Sequence, residues 1–177
     1  MLSLSKHGTK DGAMTTKRTG RRPVLIIGAG NEFRGDDGAG LVVSRRLSAL
    51  GLQGVRVLEV EGDGTAVMAA WKGADAVILV DAVYSGAAPG TVHRLEAHAR
   101  PVPGSFFHRS THAINVADAV ELARSLGELP PHLVVYGIEG NSFEAGIGLS
   151  PEVERAVQEV VEAVLQELHT MGLNSLT

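Results

Sequence analysis

Hydrophobic and polar positions follow two different periods along this chain, and the two periods alternate. Short apolar runs bounded by glycine, proline or aspartate predict buried strands, whereas apolar positions three or four residues apart predict helices. The predicted strands span residues 23–28, 55–60, 75–81, 91–95 and 133–138. The predicted helices span residues 38–50, 65–72 and 113–126, followed by a fourth that starts at Ser150 and Pro151 and carries an apolar stripe to Leu168. Strands that alternate with helices predict a doubly wound, three-layer α/β/α sandwich.

The direction of the fourth strand follows from the length of the connection that precedes it. Only about nine residues, which include Gly86, Pro89 and Gly90, join Asp81 to Thr91. A parallel crossover needs a dozen or more residues and usually a helix, so the fourth strand should run antiparallel at an edge of the sheet. The predicted fold is therefore a mostly parallel, twisted five-stranded sheet with one antiparallel strand.

Composition and charge divide the chain into three segments. The chain has 177 residues, of which 44% are hydrophobic, enough for one well-buried core. Of its 16 basic and 20 acidic residues, six basic and one acidic precede Pro23, which leaves 10 basic and 19 acidic residues in the remainder. We expect residues 1–21 to be a disordered basic extension, residues 22–170 to be a single α/β domain, and residues 171–177 to be a C-terminal tail.

The same features exclude several classes of protein. An acidic domain binds phosphate backbones poorly, so no nucleic-acid partner is expected. The longest aliphatic stretch, residues 76–80, is far shorter than a membrane span, and the first residues contain no apolar signal segment. The absence of cysteine excludes disulfides, thiolate metal ligands and a cysteine nucleophile. We expect a cytoplasmic monomer with no membrane partner.

Candidate chemistry lies at the carboxyl edge of the sheet, where ligands bind in folds of this class. Asp36 and Asp37 occur after the first strand in the glycine-rich segment GAGNEFRGDDGAG, residues 28–40. Asp81 ends the third strand, and His112 precedes the third helix. One aspartate suffices to cap a helix, so we assign the cap to Asp36 and a functional role to Asp37.

His112 is the only histidine that we expect at this edge, with His108 as the next candidate. Two carboxylates and one imidazole form a mixed oxygen and nitrogen ligand set that suits a divalent transition metal and leaves coordination positions open. Asp37, Asp81 and His112 are therefore the candidate site residues. A dinucleotide site is not favoured, because Phe33 occupies the sixth position of the glycine motif.

Several short motifs follow one another along residues 23–170. The motifs are Gly-x-Gly-Asn with an acidic pair and Gly-x-Gly, a strand that ends in Asp-Ala, Pro-Gly-Thr, Ser-x-His before a helix, Gly-Ile-Glu, and Gly-Leu-Ser-Pro-Glu-Val. They occupy residues 28–40, 81–82, 89–91, 110–112, 137–139 and 148–153. With these motifs in this order, the chain resembles the [NiFe]-hydrogenase maturation endopeptidases. One departure lies between Glu61 and Thr65, where the acid of the family's Asp-Gly-Gly-Thr turn is displaced by one residue.

The resemblance implies an aspartic-type endopeptidase that removes the C-terminal extension of a [NiFe]-hydrogenase large-subunit precursor after nickel insertion, and so activates the hydrogenase. It implies that Asp37, Asp81 and His112 coordinate nickel and form the catalytic site. It also implies that the precursor supplies this nickel and that no organic cofactor is needed.

Three other functions remain open at this point. A nickel-binding maturation chaperone would present the same three residues without cleaving anything. A peptidyl-tRNA hydrolase shares Gly-x-Gly-Asn after its first strand, but it needs a histidine soon afterwards and a basic face. No histidine occurs between Lys10 and Val92 here. A germination-type protease on the same fold is a further alternative.

Overall fold

The computed structural model describes residues 22–61, 63–107 and 114–173. Its strands are β1 (Val24–Ala29), β2 (Val55–Val60), β3 (Ala76–Val83), β4 (Val92–Glu96) and β5 (His132–Glu139). Its α-helices are α1 (Ala39–Ala49), α2 (Gly64–Trp71), α3 (Val116–Leu126) and α4 (Pro151–Thr170). Short 3-10 turns occur at Gly35–Gly38 and Gly104–Phe107. Every predicted strand and helix is present, and no bound differs from its prediction by more than three residues.

The strands form one sheet in the order β2-β1-β3-β5-β4. β1 pairs in parallel with β2 and β3, β3 pairs in parallel with β5, and β4 pairs antiparallel with β5 at the edge. The connection between Val83 and Val92 has eight residues, too few for a parallel crossover. The structure thus confirms a mostly parallel five-stranded sheet with one antiparallel edge strand.

Helices cover both faces of the sheet because its central strands are apolar on both sides. In β3, Val77 and Leu79 belong to the core under α2 and α3, whereas Ile78 and Val80 belong to the core under α1 and α4. The apolar stripe predicted for α4 lies in the second of these cores. The molecule is therefore the predicted three-layer α/β/α sandwich.

Local hydrogen bonds determine where two of the helices begin. The Asp63 carboxylate caps α2 by accepting two backbone N–H groups of its first turn, at 3.0 and 3.4 Å. α3 begins at Val116, later than predicted, because Asn115 and Asp118 form a reciprocal capping box. Gly127 ends α3 in the left-handed conformation, with φ of 70°.

Replacing Asp63 by alanine is expected to lower the thermal stability of the protein while leaving its fold intact. The first turn of α2 would lose this acceptor, which typically costs about 1 kcal/mol. In a domain of this size, that corresponds to a melting temperature lower by about 2–4 °C, measurable by circular dichroism. Glu61→Ala is the matched control, because Glu61 is exposed just before the helix. Equal melting temperatures for the two variants would contradict the capping role.

The chain beyond α4 stays close to the domain where it is described. Met171 and Leu173 pack against the core under α1 and α4. The predicted extension at residues 1–21 and residues 174–177 of the predicted tail lie outside the described residues. In the part of the chain that the structure describes, no helix is both long enough and apolar enough to cross a membrane.

Candidate active site at the carboxyl edge of the sheet

Glycines in the β1–α1 connection bring the backbone of Asp37 against the ends of the central strands. A Cβ atom at Gly30, whose φ is +147°, would lie 1.9 Å from the carbonyl oxygen of Asp37. A Cβ atom at Gly40 would lie 2.3 Å from the carbonyl oxygen of Ala29 and 2.4 Å from that of Val80. Only glycine permits such approaches. The start of α1 therefore lies directly against the carboxyl ends of β1 and β3.

Asp81 lies near the carboxyl end of β3 and is almost fully buried. It is 9% exposed, and its Oδ1 accepts the N–H of Ala82 at 2.8 Å. Burial raises the pKa of the Asp81 carboxyl well above its ordinary value of 3.8, and the negative charge of Asp37 raises it further, against the smaller opposing effect of the Ala82 N–H. The half-buried Asp37 and the buried Asp81 thus form an acidic pair that a proton or a cation would stabilise.

The third candidate, His112, and its alternative His108 lie outside the described residues. The chain on either side of them is tied to the same edge of the sheet. Just after β3, the N–H of Tyr84 donates to the carbonyl oxygen of Phe106 at 2.8 Å. The first N–H of α2, the helix that follows β2, donates to the carbonyl oxygen of Ile114, also at 2.8 Å. The two aspartates are brought together, and the role of the histidine stays a prediction.

The structure corrects the role predicted for Asp36. No side-chain hydrogen bond is present at the N-cap of the Gly35–Gly38 turn or of α1, so Asp36 does not cap the helix. Its carboxylate, 1% exposed, accepts hydrogen bonds from the backbone N–H groups of Asn141, Ser142 and Ser150 and from the Ser150 hydroxyl. The capping prediction was wrong because these partners are 105 to 114 residues away in the sequence.

Ser150 precedes the first residue of α4 as predicted, but its side chain makes a different contact. It occupies the N-cap position of α4, with Pro151 in the first turn, as its sequence indicates. Its hydroxyl makes no capping hydrogen bond, because it donates instead to Asp36 at 3.0 Å. The start of α4 is thus joined to the β1–α1 connection.

His93 lies at this edge, although sequence reasoning did not place it there. It pairs with Gly137 of β5, and Gly137 pairs with Asp81 on its other side, so the three residues form a row across the sheet. Because β4 runs antiparallel, its beginning lies beside the carboxyl end of β5. The prediction that His112 is the only histidine here was therefore wrong, although the predicted direction of β4 already implied the position of His93.

Glu139, the last residue of β5, holds His93 and the β3–β4 connection in place. It is 1% exposed and accepts the N–H and hydroxyl of Ser85, both at 2.8 Å, and the N–H of Gly86 at 3.0 Å. The Nε2 atom of His93 lies 3.3 Å from its Oε2 atom. The ring centroids of His93 and Phe106 are 4.8 Å apart. These contacts order the rim of the site between β3 and the Gly104–Phe107 turn.

The described part of the site contains two of the three predicted ligands. Within residues 22–61, 63–107 and 114–173, no three histidine, aspartate or glutamate side chains are grouped as a metal ion would require. A complete ligand set around Asp37 and Asp81 therefore needs a further donor, from His112 or from a bound substrate.

Comparison with known proteins identifies the family. A family model described as hydrogenase maturation protease matches residues 42–167, most of the described domain. The Hydrogenase 2 maturation protease of Escherichia coli strain K12 is 29% identical over 157 residues, which cover 86% of this chain and 94% of that protein. The likeness therefore extends over nearly the whole length of both chains.

Solved structures show the same likeness in three dimensions. The hydrogenase maturating endopeptidase HybD from E. coli has a TM-score of 0.70 at 28% identity, covering 85% of this chain and 94% of its own. The [NiFe] hydrogenase maturation protease HybD from Thermococcus kodakarensis has a TM-score of 0.62 at 30% identity, covering 81% and 97%. These matches confirm the resemblance found in the sequence motifs. The chain belongs to the hydrogenase maturation protease family and is an enzyme of that family, a peptide hydrolase.

Proposed function

We propose that this enzyme removes the C-terminal extension of a [NiFe]-hydrogenase large-subunit precursor after nickel insertion, and that it recognises the inserted nickel. The observation that carries the proposal is the acidic pair of Asp37 and Asp81 at the carboxyl edge of the sheet. Asp81 is buried, and the charge of Asp37 acts on it. The family supplies the reaction class, and the acidic pair supplies a place for the metal of the substrate.

A divalent cation would counteract both effects that raise the pKa of Asp81. It offsets the burial of the ionised carboxylate and the repulsion from Asp37. The chain contains no cysteine, so oxygen and nitrogen donors are its available metal ligands. We propose Asp37, Asp81 and His112 as the ligands that take up open coordination positions of the precursor's nickel, a mixed set that suits such an ion.

Nickel held in this way gives a chemical reason for cleavage only after assembly. A divalent ion beside a peptide bond polarises its carbonyl group or activates a water molecule, and either effect promotes hydrolysis without a covalent intermediate on the protein. The precursor brings the ion, so a precursor without nickel lacks part of the site. The enzyme itself then needs no resident metal and no organic cofactor.

Incubation with nickel-loaded precursor tests the proposal directly. We expect mass spectrometry to show that the precursor shortens at its C-terminal end. Asp37→Asn, which keeps the size of the side chain but removes its charge, should leave the precursor at full length. A precursor that binds the wild-type protein but is never shortened would contradict the peptidase and support the nickel-binding chaperone.

A further inference from the structure

Two neighbouring acids in the β1–α1 connection have opposite surroundings. Asp37 is half-buried and lies close enough to Asp81 for their charges to interact. Asp36 is 1% exposed, and its carboxylate accepts hydrogen bonds from both ends of the loop between β5 and α4, residues 140–150. The two carboxylates therefore serve different parts of the molecule, although they are adjacent in the chain.

The Asp36 carboxylate fixes both ends of the 140–150 loop. Its Oδ2 atom accepts the N–H groups of Asn141 and Ser142, at 2.8 and 2.9 Å, just after β5 ends. Its Oδ1 atom accepts the N–H of Ser150 at 2.7 Å, one residue before α4 begins. The Ser150 hydroxyl adds a fourth hydrogen bond at 3.0 Å. A single buried side chain thus closes the loop at its two ends.

Backbone hydrogen bonds continue the same contact along the loop. The N–H of Asp36 donates to the carbonyl oxygen of Ser142 at 2.9 Å, and that of Gly35 donates to Gly146 at 2.8 Å. The N–H of Gly146 donates in return to the carbonyl oxygen of Phe33 at 2.9 Å. The segment that carries the acidic residues and the 140–150 loop are therefore held together as one unit.

The backbone of Asp37 depends on this unit. Its N–H donates to the carbonyl oxygen of Arg34, and its own carbonyl oxygen accepts the N–H of Asn31, each at 3.2 Å. The Arg34 guanidinium donates to the carbonyl oxygen of Phe143, inside the loop, at 3.2 Å. A shift of the 140–150 loop would therefore be transmitted to the residue that bears the functional carboxylate.

We infer that Asp36 is a positioning residue for peptide cleavage: by anchoring the 140–150 loop, it fixes the direction in which Asp37 faces Asp81. The inference rests on the proposed function and extends it to a residue that does not touch the substrate. Reacting groups must be held within a fraction of an ångström, so a small misplacement of Asp37 has a large effect on the rate of cleavage.

The donors around Asp36 suit the two acceptor oxygens of a carboxylate and not the amide of an asparagine. All four partners donate hydrogen to Asp36, and three of them are backbone N–H groups that cannot reverse their role. In either orientation, the amide NH₂ of an asparagine would face at least one of these N–H groups. Asp36→Asn therefore loosens one end of the loop while preserving the size of the side chain.

The test compares Asp36→Asn, Ser150→Ala and a matched control, Asp75→Asn, with the wild-type enzyme. Asp75 is an exposed acid that directly precedes β3, at the end of the strand opposite to Asp81. Cleavage of nickel-loaded precursor is measured well below the melting temperature of each variant. For Asp36→Asn we expect kcat to fall on the order of 100-fold, with KM much less affected. Ser150→Ala, which removes one of the four donors, should lie between Asp36→Asn and the wild type, and Asp75→Asn should match the wild type.

Hydrogen exchange of residues 140–150 gives a second readout that is independent of cleavage. Exchange should be faster in Asp36→Asn than in Asp75→Asn. A wild-type kcat in Asp36→Asn, or an unchanged exchange rate in its loop, overturns the positioning role. If Asp36→Asn does not fold, Ser150→Ala decides the same question by its kcat. If the wild-type enzyme itself leaves the precursor intact, the proposed function is what fails, and the exchange rates still show whether Asp36 anchors the loop.

Discussion

Asp81→Asn is expected to abolish cleavage of nickel-loaded precursor and, at the same time, to raise the melting temperature of the protein. Asparagine keeps the size of the side chain, and its oxygen can still accept the N–H of Ala82. It lacks the negative charge that a nickel ligand at this position needs. Loss of activity with a more stable fold is the signature of a residue retained for function at the expense of stability.

The gain in stability follows from the direction in which the pKa of Asp81 is shifted. Burial and the charge of Asp37 raise this pKa above its ordinary value of 3.8, so the folded state disfavours the ionised carboxylate. Above the raised pKa the ionised group destabilises the fold by its full penalty; as the pH falls below that pKa the folded protein takes up a proton and the penalty shrinks, until it is gone below the ordinary value. The asparagine of the variant is neutral at every pH. The advantage of the variant should therefore be largest at neutral pH and should shrink in acid.

Melting curves recorded by circular dichroism across this pH range measure the difference. Each kcal/mol of relieved penalty corresponds to about 2–4 °C in a domain of this size. Asp75→Asn is again the control, because it makes the same chemical change at the exposed end of the same strand. An Asp81→Asn variant that melts below the wild type at neutral pH would show that the ionised carboxylate is stabilised by contacts in the folded protein.

The sheet was predictable from the sequence because its determinants are local. The strands β1, β3 and β5 are short apolar runs, each helix has apolar positions at its own spacing, and the length of one connection determines the direction of β4. The buried stripe of α4 is another local signal, since every position in it follows from the helical period. The error at the start of α3 is small and has a local cause, the capping box between Asn115 and Asp118.

The candidate site was predictable only in part, because its finer contacts join distant parts of the chain. Asp81 and Asp37 were placed at one edge by the topology of parallel strands, and they are indeed close enough to interact. The role of Asp36 depends on partners that follow β5, and no local pattern indicates them. The contacts of Glu139 with Ser85 and His93 likewise depend on how β4 pairs with β5. Sequence spacing does not determine the register of that pairing.

Nickel-free precursor is expected to remain at full length, even with an excess of wild-type enzyme. If the precursor's nickel completes the site, cleavage depends on metal in the precursor, and nickel salt added to the enzyme alone should not replace it. His112→Ala should cause the same failure on nickel-loaded precursor, because it removes the proposed nitrogen ligand. Mass spectrometry of the precursor reports both results, and circular dichroism checks that the variant is folded.

Two histidine variants serve as comparisons for this last prediction. His169→Ala changes an exposed residue in the last turn of α4 and should cleave as the wild type does. His93→Ala changes a histidine at the carboxyl edge, which contacts Glu139, and tests whether that contact is needed for cleavage. Normal cleavage by His112→Ala would contradict its role as the nitrogen ligand. Efficient cleavage of nickel-free precursor by the wild-type enzyme would instead rule out recognition of nickel. The acidic pair would then act without metal, as two carboxylates that share a proton, since the raised pKa of Asp81 favours its protonated form.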